Sequence, residues 1–114
     1  WDQLSLTWAD LKLLPNEWKL KLGQWRVVYF ILDVMDGKGY VGSAFGNENL
    51  LHRWQNYADT GHGGNIKLKE RNPENFVFTI LQRTSPDMDK ADVERLEASW
   101  KDRLHTREFG LNDN

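Results

Sequence analysis

Val27-Val28-Tyr29-Phe30-Ile31-Leu32, followed by Gly39-Tyr40-Val41-Gly42-Ser43, is the stretch that decides the fold of this chain. The first six residues are apolar or aromatic, rich in β-branched types, and lie between a Gly-containing segment and an Asp-Gly turn signal, a pattern that predicts a buried strand. The second stretch predicts a short strand that opens on a tyrosine and ends at a glycine. The link Asp33-Val34-Met35-Asp36-Gly37-Lys38 is short enough to make the pair a hairpin. Side chains alternate between faces along each strand. A two-residue turn at Asp36-Gly37 therefore brings Tyr29 and Tyr40 out on one side of the sheet, offset along the strands, and a wider loop brings them closer. The competing reading is that tyrosine is simply common in strands.

Working outward, 114 residues suit one compact domain with a single core. Hydrophobic residues at 39% and charged residues at 28% are ordinary for a soluble globular chain. Six tryptophans are a heavy aromatic load, some of which must anchor the core or an interface. The absence of cysteine excludes disulfides, thiolate metal sites and a cysteine nucleophile, and it suits an intracellular, cytoplasmic setting. No apolar run approaches the roughly 20 residues that span a bilayer. The chain starts at Trp1 and stops in polar Asn112-Asp113-Asn114, so a domain cut from a longer protein, with flanking regions that share its function, is expected. A formal charge of −2 argues against gripping nucleic acid by bulk electrostatics. Local basic groups at Lys67, Lys69 and Arg71, and at Lys101, Arg103, His105 and Arg107, read first as solvated faces.

Upstream, residues 5 to 14 predict a helix with Leu4, Trp8, Leu11 and Leu14 on one face, Thr7 or Ser5 as N-cap and Pro15 as its stop. A short helical piece follows from Glu17 to Leu22. Residues 1 to 24 thus read as a helical segment packing on the sheet. Downstream, a helix is expected from Glu48, capped by Asn47, to about Ala58, with Leu50, Leu51, Trp54 and Tyr57 on its apolar face. Arg53 falls on the flank, one turn before Tyr57. Thr60 to Asn65 is a Gly-rich loop that matches neither Walker nor Rossmann spacing. A helical turn is expected at Ile66 to Glu70 and a third strand at Phe76-Val77-Phe78-Thr79-Ile80-Leu81. Ser85-Pro86 opens a last helix whose apolar stripe is Val93, Leu96, Trp100 and Leu104, with Glu97 bordering it. The fold class is α/β of the α+β type, a small three-stranded, largely antiparallel sheet flanked by helices.

Glu97 can hold one hard divalent cation with water and phosphate as the other ligands, or form an i, i+4 ion pair with Lys101. Arg53 can clamp a phosphate through two parallel hydrogen bonds, or cover the apolar face with its stem. His62 and His105 are weaker candidates, since a lone histidine is more often structural or solvated than catalytic.

The order of these residues resembles the GIY-YIG nuclease superfamily. The first motif reads Val27-Val28-Tyr29 and the second Tyr40-Val41-Gly42, and the helix arginine, metal-binding glutamate and late asparagine match Arg53, Glu97 and Asn112. The resemblance covers residues 27 to 114, which makes 25–114 a GIY-YIG-like nuclease domain. Val27 departs from the motif's glycine, Tyr57 stands where many members carry histidine, and Ser43 where some carry lysine. His62 is the candidate for a further family histidine. The resemblance implies hydrolysis of a DNA phosphodiester with a single Mg²⁺ or Mn²⁺ at Glu97, DNA being bound with help from flanking domains. It implies Tyr29 or Tyr40 as base, Arg53 as oxygen clamp, assistance from Tyr57 and His62, and an orienting role for Asn112. The same fold kept as an inactive DNA-binding or structural module is the alternative.

Overall fold

The computed structural model describes residues 3–45 and 49–113. Its centre is the hairpin of β2 (Arg26–Asp33) and β3 (Lys38–Ala44). With β1 (Ser5–Thr7) and β4 (Phe76–Thr84) they form a four-stranded antiparallel sheet in the order β1-β4-β2-β3. The helices are α1 (Trp8–Lys12), α2 (Asn16–Gln24), α3 (Leu50–Thr60), α4 (Lys90–Leu104) and α5 (Thr106–Phe109). An α+β chain with an antiparallel sheet flanked by helices is thus what the sequence folds into, with four strands where three are expected.

The extra strand replaces the start of the expected first helix. Ser5, Leu6 and Thr7 pair with Thr79, Phe78 and Val77. Thr7 then caps a helix of only five residues through a capping box with Asp10, accepting from Asp10 N at 3.1 Å while Thr7 N donates to the Asp10 carboxylate at 2.9 Å. The hairpin link is four residues, Val34 to Gly37, not two, so Tyr29 faces Gly42 and Ile31 faces Tyr40. Asp33 shapes this link. It is 3% exposed, accepts from Met35 N and meets Arg71 Nη1 at 3.0 Å, and the same guanidinium reaches Asp36 at 2.7 Å. The Arg71 hydrogen bond holds the Asp36 carboxyl below its ordinary pKa.

One face of the sheet carries Val27, Tyr29, Ile31, Phe76, Phe78 and Ile80 against Leu11, Leu14, Leu22, Leu50, Trp54 and Tyr57. Burying each such side chain contributes about 1.5–3 kcal/mol. Helix α3 ends where Gly61, at φ 78°, gives its N–H to Tyr57 O. Its N-cap is Asn49, and the expected Asn47 cap and Glu48 start lie outside the described residues. Ile66 to Glu70 forms turns, not a helix, and Ser85 closes a separate turn so that Asp89 precedes α4.

The other face is covered by α4, and its sheet-facing row differs from the apolar stripe read from sequence. Val93 and Lys101 are buried whereas Leu104 is 40% exposed. Gln82, which pairs with Val28 on that face, accepts from Trp100 Nε1 at 3.1 Å. Beyond α5 the chain returns along the outer edge of β3. Leu111 N donates to Gly39 O at 2.8 Å, and the Asn112 amide accepts from Val41 N and donates to Val41 O, both at 2.9 Å. Asn112 therefore completes the ladder that an edge strand lacks. Replacing it with alanine strands two buried backbone groups, and Asn112→Ala is expected to lower stability by about 2–4 kcal/mol, read from the urea denaturation midpoint.

Candidate active site

Tyr29 and Tyr40 do emerge on one face, because Tyr29 and Ile31 share it and Tyr40 is the partner of Ile31. The meeting point of the cluster is Tyr57, which α3 presents to that face. Its phenol lies 3.1 Å from that of Tyr29, and its ring stands edge-on to Tyr29 at 6.2 Å and to Tyr40 at 6.3 Å. Arg53, one turn earlier on α3 and half-buried, brings Nη2 to 3.5 Å from the Tyr29 oxygen. Three phenols and a guanidinium thus stand together, as a helical spacing of four residues over a hairpin allows.

The three phenols differ in access to water. Tyr29 is fully buried and Tyr57 is 2% exposed, while Tyr40 is half-buried. Burial raises the Tyr29 pKa, the neighbouring Tyr40 adds to the rise, and Arg53 and Tyr57 oppose it. Burial also lifts Tyr57 well above the ordinary phenol value, reinforced by Tyr29 and Tyr40. Both therefore remain neutral donors at neutral pH. A base drawn from the two motif tyrosines has to meet solvent, which only Tyr40 does.

Gly42 is explained by the same geometry. A Cβ there would come within 2.4 Å of the Tyr29 hydroxyl oxygen and 2.5 Å of Cζ. The second motif's glycine is thus a consequence of the first motif's tyrosine, whose ring crosses the backbone of the neighbouring strand. Gly63 has a similar role beneath Tyr57, where a Cβ would approach the ring to 2.6 Å, and its φ of 56° also favours glycine. His62, next in sequence, turns its Nδ1 to Gly64 N at 2.8 Å. The loop therefore packs on Tyr57 through Gly63, while the imidazole makes a local turn contact.

Glu97 belongs to the other layer. Its Oε1 accepts from Ser43 Oγ at 2.8 Å and its Oε2 lies 3.1 Å from Lys101 Nζ. Ser43 pairs with Val28, so it points away from Tyr29, yet it directly follows Gly42. Carboxylate and phenol clusters hence meet at two consecutive residues of edge strand β3, on opposite sides of it. Asn112 supports this strand from its rim and does not reach into either cluster by the hydrogen bonds it makes. The basic groups noted in the sequence are largely engaged within the chain, with Lys67 Nζ on Asn112 O, Arg71 on Asp33 and Asp36, His105 beside Glu108, and Arg107 on Asp102. The Glu97–Lys101 contact is the i, i+4 ion pair read from sequence, whereas the Ser43 contact with Glu97 is missing from that reading, its only signal being that Ser43 is the alternate-face neighbour of Gly42.

Among the described residues no group of three or more His, Asp or Glu is placed to enclose a metal ion. Glu97 fits the other mode, in which one carboxylate anchors an ion mostly ligated by water and phosphate. Its side chain is 22% exposed, and a carboxylate with one partner on each oxygen retains lone pairs on both.

Comparison with known proteins gives two matches of different kinds. The model of the GIY-YIG catalytic domain matches residues 26–112. Among solved structures, the catalytic domain of the intron endonuclease I-TevI, in a glutamate-to-alanine mutant, is similar with a TM-score of 0.64 at 23% identity, over 79% of this chain and 94% of that one. No curated protein sequence matches the chain.

Two outcomes follow from the tyrosine cluster. Gly42→Ala is expected to push the Tyr29 ring off the strand and to cost about 1–3 kcal/mol of stability in urea denaturation. The raised phenol pKa values mean that the native state holds those protons more tightly than the unfolded chain. Their stabilisation is therefore complete below about pH 10, the unfolded phenol value, and is lost as pH rises past it. Urea midpoints measured from pH 8 to 11 should fall less steeply for Tyr57→Phe than for the parent, and parallel curves would contradict this.

Proposed function

The chain belongs to the GIY-YIG family, and from that premise we propose that it is a metal-dependent DNA endonuclease domain that hydrolyses a phosphodiester bond. The observation that carries this reading is the contact of Arg53 with Tyr29, beside Tyr40 and Tyr57 and across from Gly42 of β3, whose next residue Ser43 bonds Glu97.

In-line attack of water at phosphorus requires a base near the water, charge relief on the non-bridging oxygens and help for the departing alkoxide. Arg53 supplies the charge relief, with a planar fork that matches two phosphate oxygens. Tyr40, the phenol with access to solvent, faces the attacking water and receives or relays its proton. Tyr29 and Tyr57 stay protonated. Their hydroxyl groups form the buried support against which Arg53 and Tyr40 are set. His62 assists from the loop that packs on Tyr57, and Asn112 keeps β3 straight beneath Tyr40. Glu97 is the residue that would hold a single Mg²⁺ or Mn²⁺. Such an ion, when bound, stabilises charge on the leaving oxygen as a Lewis acid. DNA laid across β3 at Gly42 and Ser43 would meet Arg53 on one side and Glu97 on the other.

The engagement of Lys67, Arg71 and Arg107 within the chain, together with a formal net charge of −2, favours binding with help from flanking domains. It also motivates the second reading, a module of the same fold without catalytic activity that binds DNA or acts structurally. Nicking of supercoiled plasmid at low salt with Mg²⁺ or Mn²⁺ separates the two. The parent is expected to nick, and Arg53→Ala and Glu97→Ala are expected to fall by about 10²-fold or more. Tyr40→Phe should lose more activity than Tyr29→Phe. A silent parent sinks the endonuclease reading in favour of the module, and equal cleavage by all variants sinks the site.

A further inference from the structure

We propose that Lys101 is a positioning residue for Glu97 whose ammonium group sets how tightly that carboxylate takes a divalent cation. The proposal rests on the reading of Glu97 as the metal-holding residue.

Lys101 is 5% exposed, an unusual state for a lysine unless it is paired. Val93, Glu97 and Lys101 follow one another at four-residue spacing on α4, so they lie in one row along the helix, buried at both ends. Within that row the Lys101 ammonium lies 3.1 Å from Glu97 Oε2, while Ser43 Oγ bonds Oε1 at 2.8 Å from strand β3. The carboxylate is held at both ends, one by its own helix and one by the sheet. Its orientation is fixed before any ion arrives.

The two clamps differ electrically. The Ser43 hydroxyl is neutral and leaves the full charge of the carboxylate available. The Lys101 ammonium is a positive charge beside the oxygen that an incoming dication needs, and like charges in a partly buried setting are screened less than in water. Lys101 therefore opposes the ion that Glu97 attracts, and lowers its affinity while keeping the ligand in place. A purely structural Lys101 would have the opposite signature, because losing it would loosen Glu97 and weaken binding. The sign of the change separates the two roles.

The experiment is a titration of the whole chain with Mn²⁺ in the absence of DNA, following the free-ion EPR signal. Lys101→Met keeps the apolar stem and removes the charge, and it should bind Mn²⁺ about tenfold more tightly than the parent. Lys101→Arg should stay near the parent, and Glu97→Gln should lose the site. Equal or weaker binding by Lys101→Met, with the site lost in Glu97→Gln, overturns the role of Lys101 and leaves Glu97 as the ligand. Undiminished binding by Glu97→Gln overturns the metal reading itself and this proposal with it. No detectable binding by either the parent or Lys101→Met also overturns the proposal. Circular dichroism checks that each variant is folded, and Lys101→Gln is read by the same criteria if the methionine variant is not.

Discussion

The phenol of Tyr29 lies fully buried across the backbone of Gly42, and most of the site is arranged by what that burial requires. A hydroxyl removed from water costs free energy unless it finds partners, and the partners here are Tyr57 and Arg53, both from α3. Satisfying one buried oxygen thus sets the rotation of α3 against the sheet. Trp54, between them in sequence, fills the space beneath Tyr29 edge-on at 6.1 Å and locks the same rotation from the apolar side. The same contact draws the long Arg53 side chain against the core.

Strand β3 joins this layer to the one behind it. Its alternation places Gly42 under Tyr29 and Ser43 against Glu97, so two side-chain clusters with no shared helix are kept in register by one peptide unit. An edge strand left bare would be a weak foundation for that. The Asn112 amide, with Leu111 N on Gly39 O, gives β3 an outer partner over the segment that bears Tyr40.

Much of this was legible in the sequence. The hairpin and its shared tyrosine face follow from alternation alone, and they survive an error in turn length because the true link is longer by two residues and parity is preserved. The flank position of Arg53 beside Tyr57 follows from the helical period. Other features were hidden for physical reasons. Ser5–Thr7 is only three residues long, and its strand state is fixed by pairing with β4, a contact that no local pattern announces. The expected stripe of α4 holds at Val93 and Trp100 and fails at its end, where Leu104 is exposed and Lys101 is buried. Lys101 is buried through an ion pair, and apolar periodicity is blind to charged residues that compensate one another. The second motif's glycine also looks like a turn former until the ring that crosses it is seen.

The bond between Asn112 and Val41 joins positions 71 residues apart in the chain. Contacts of such long separation bear the largest loop-closure cost and tend to form late. On a ribosome, Val41 emerges well before Asn112, so the tyrosine hairpin waits for its outer brace while α3, β4 and α4 are still being made. A nascent chain of this kind holds its phenols and arginine before it holds them still, and rigidity arrives with the segment that carries Asn112.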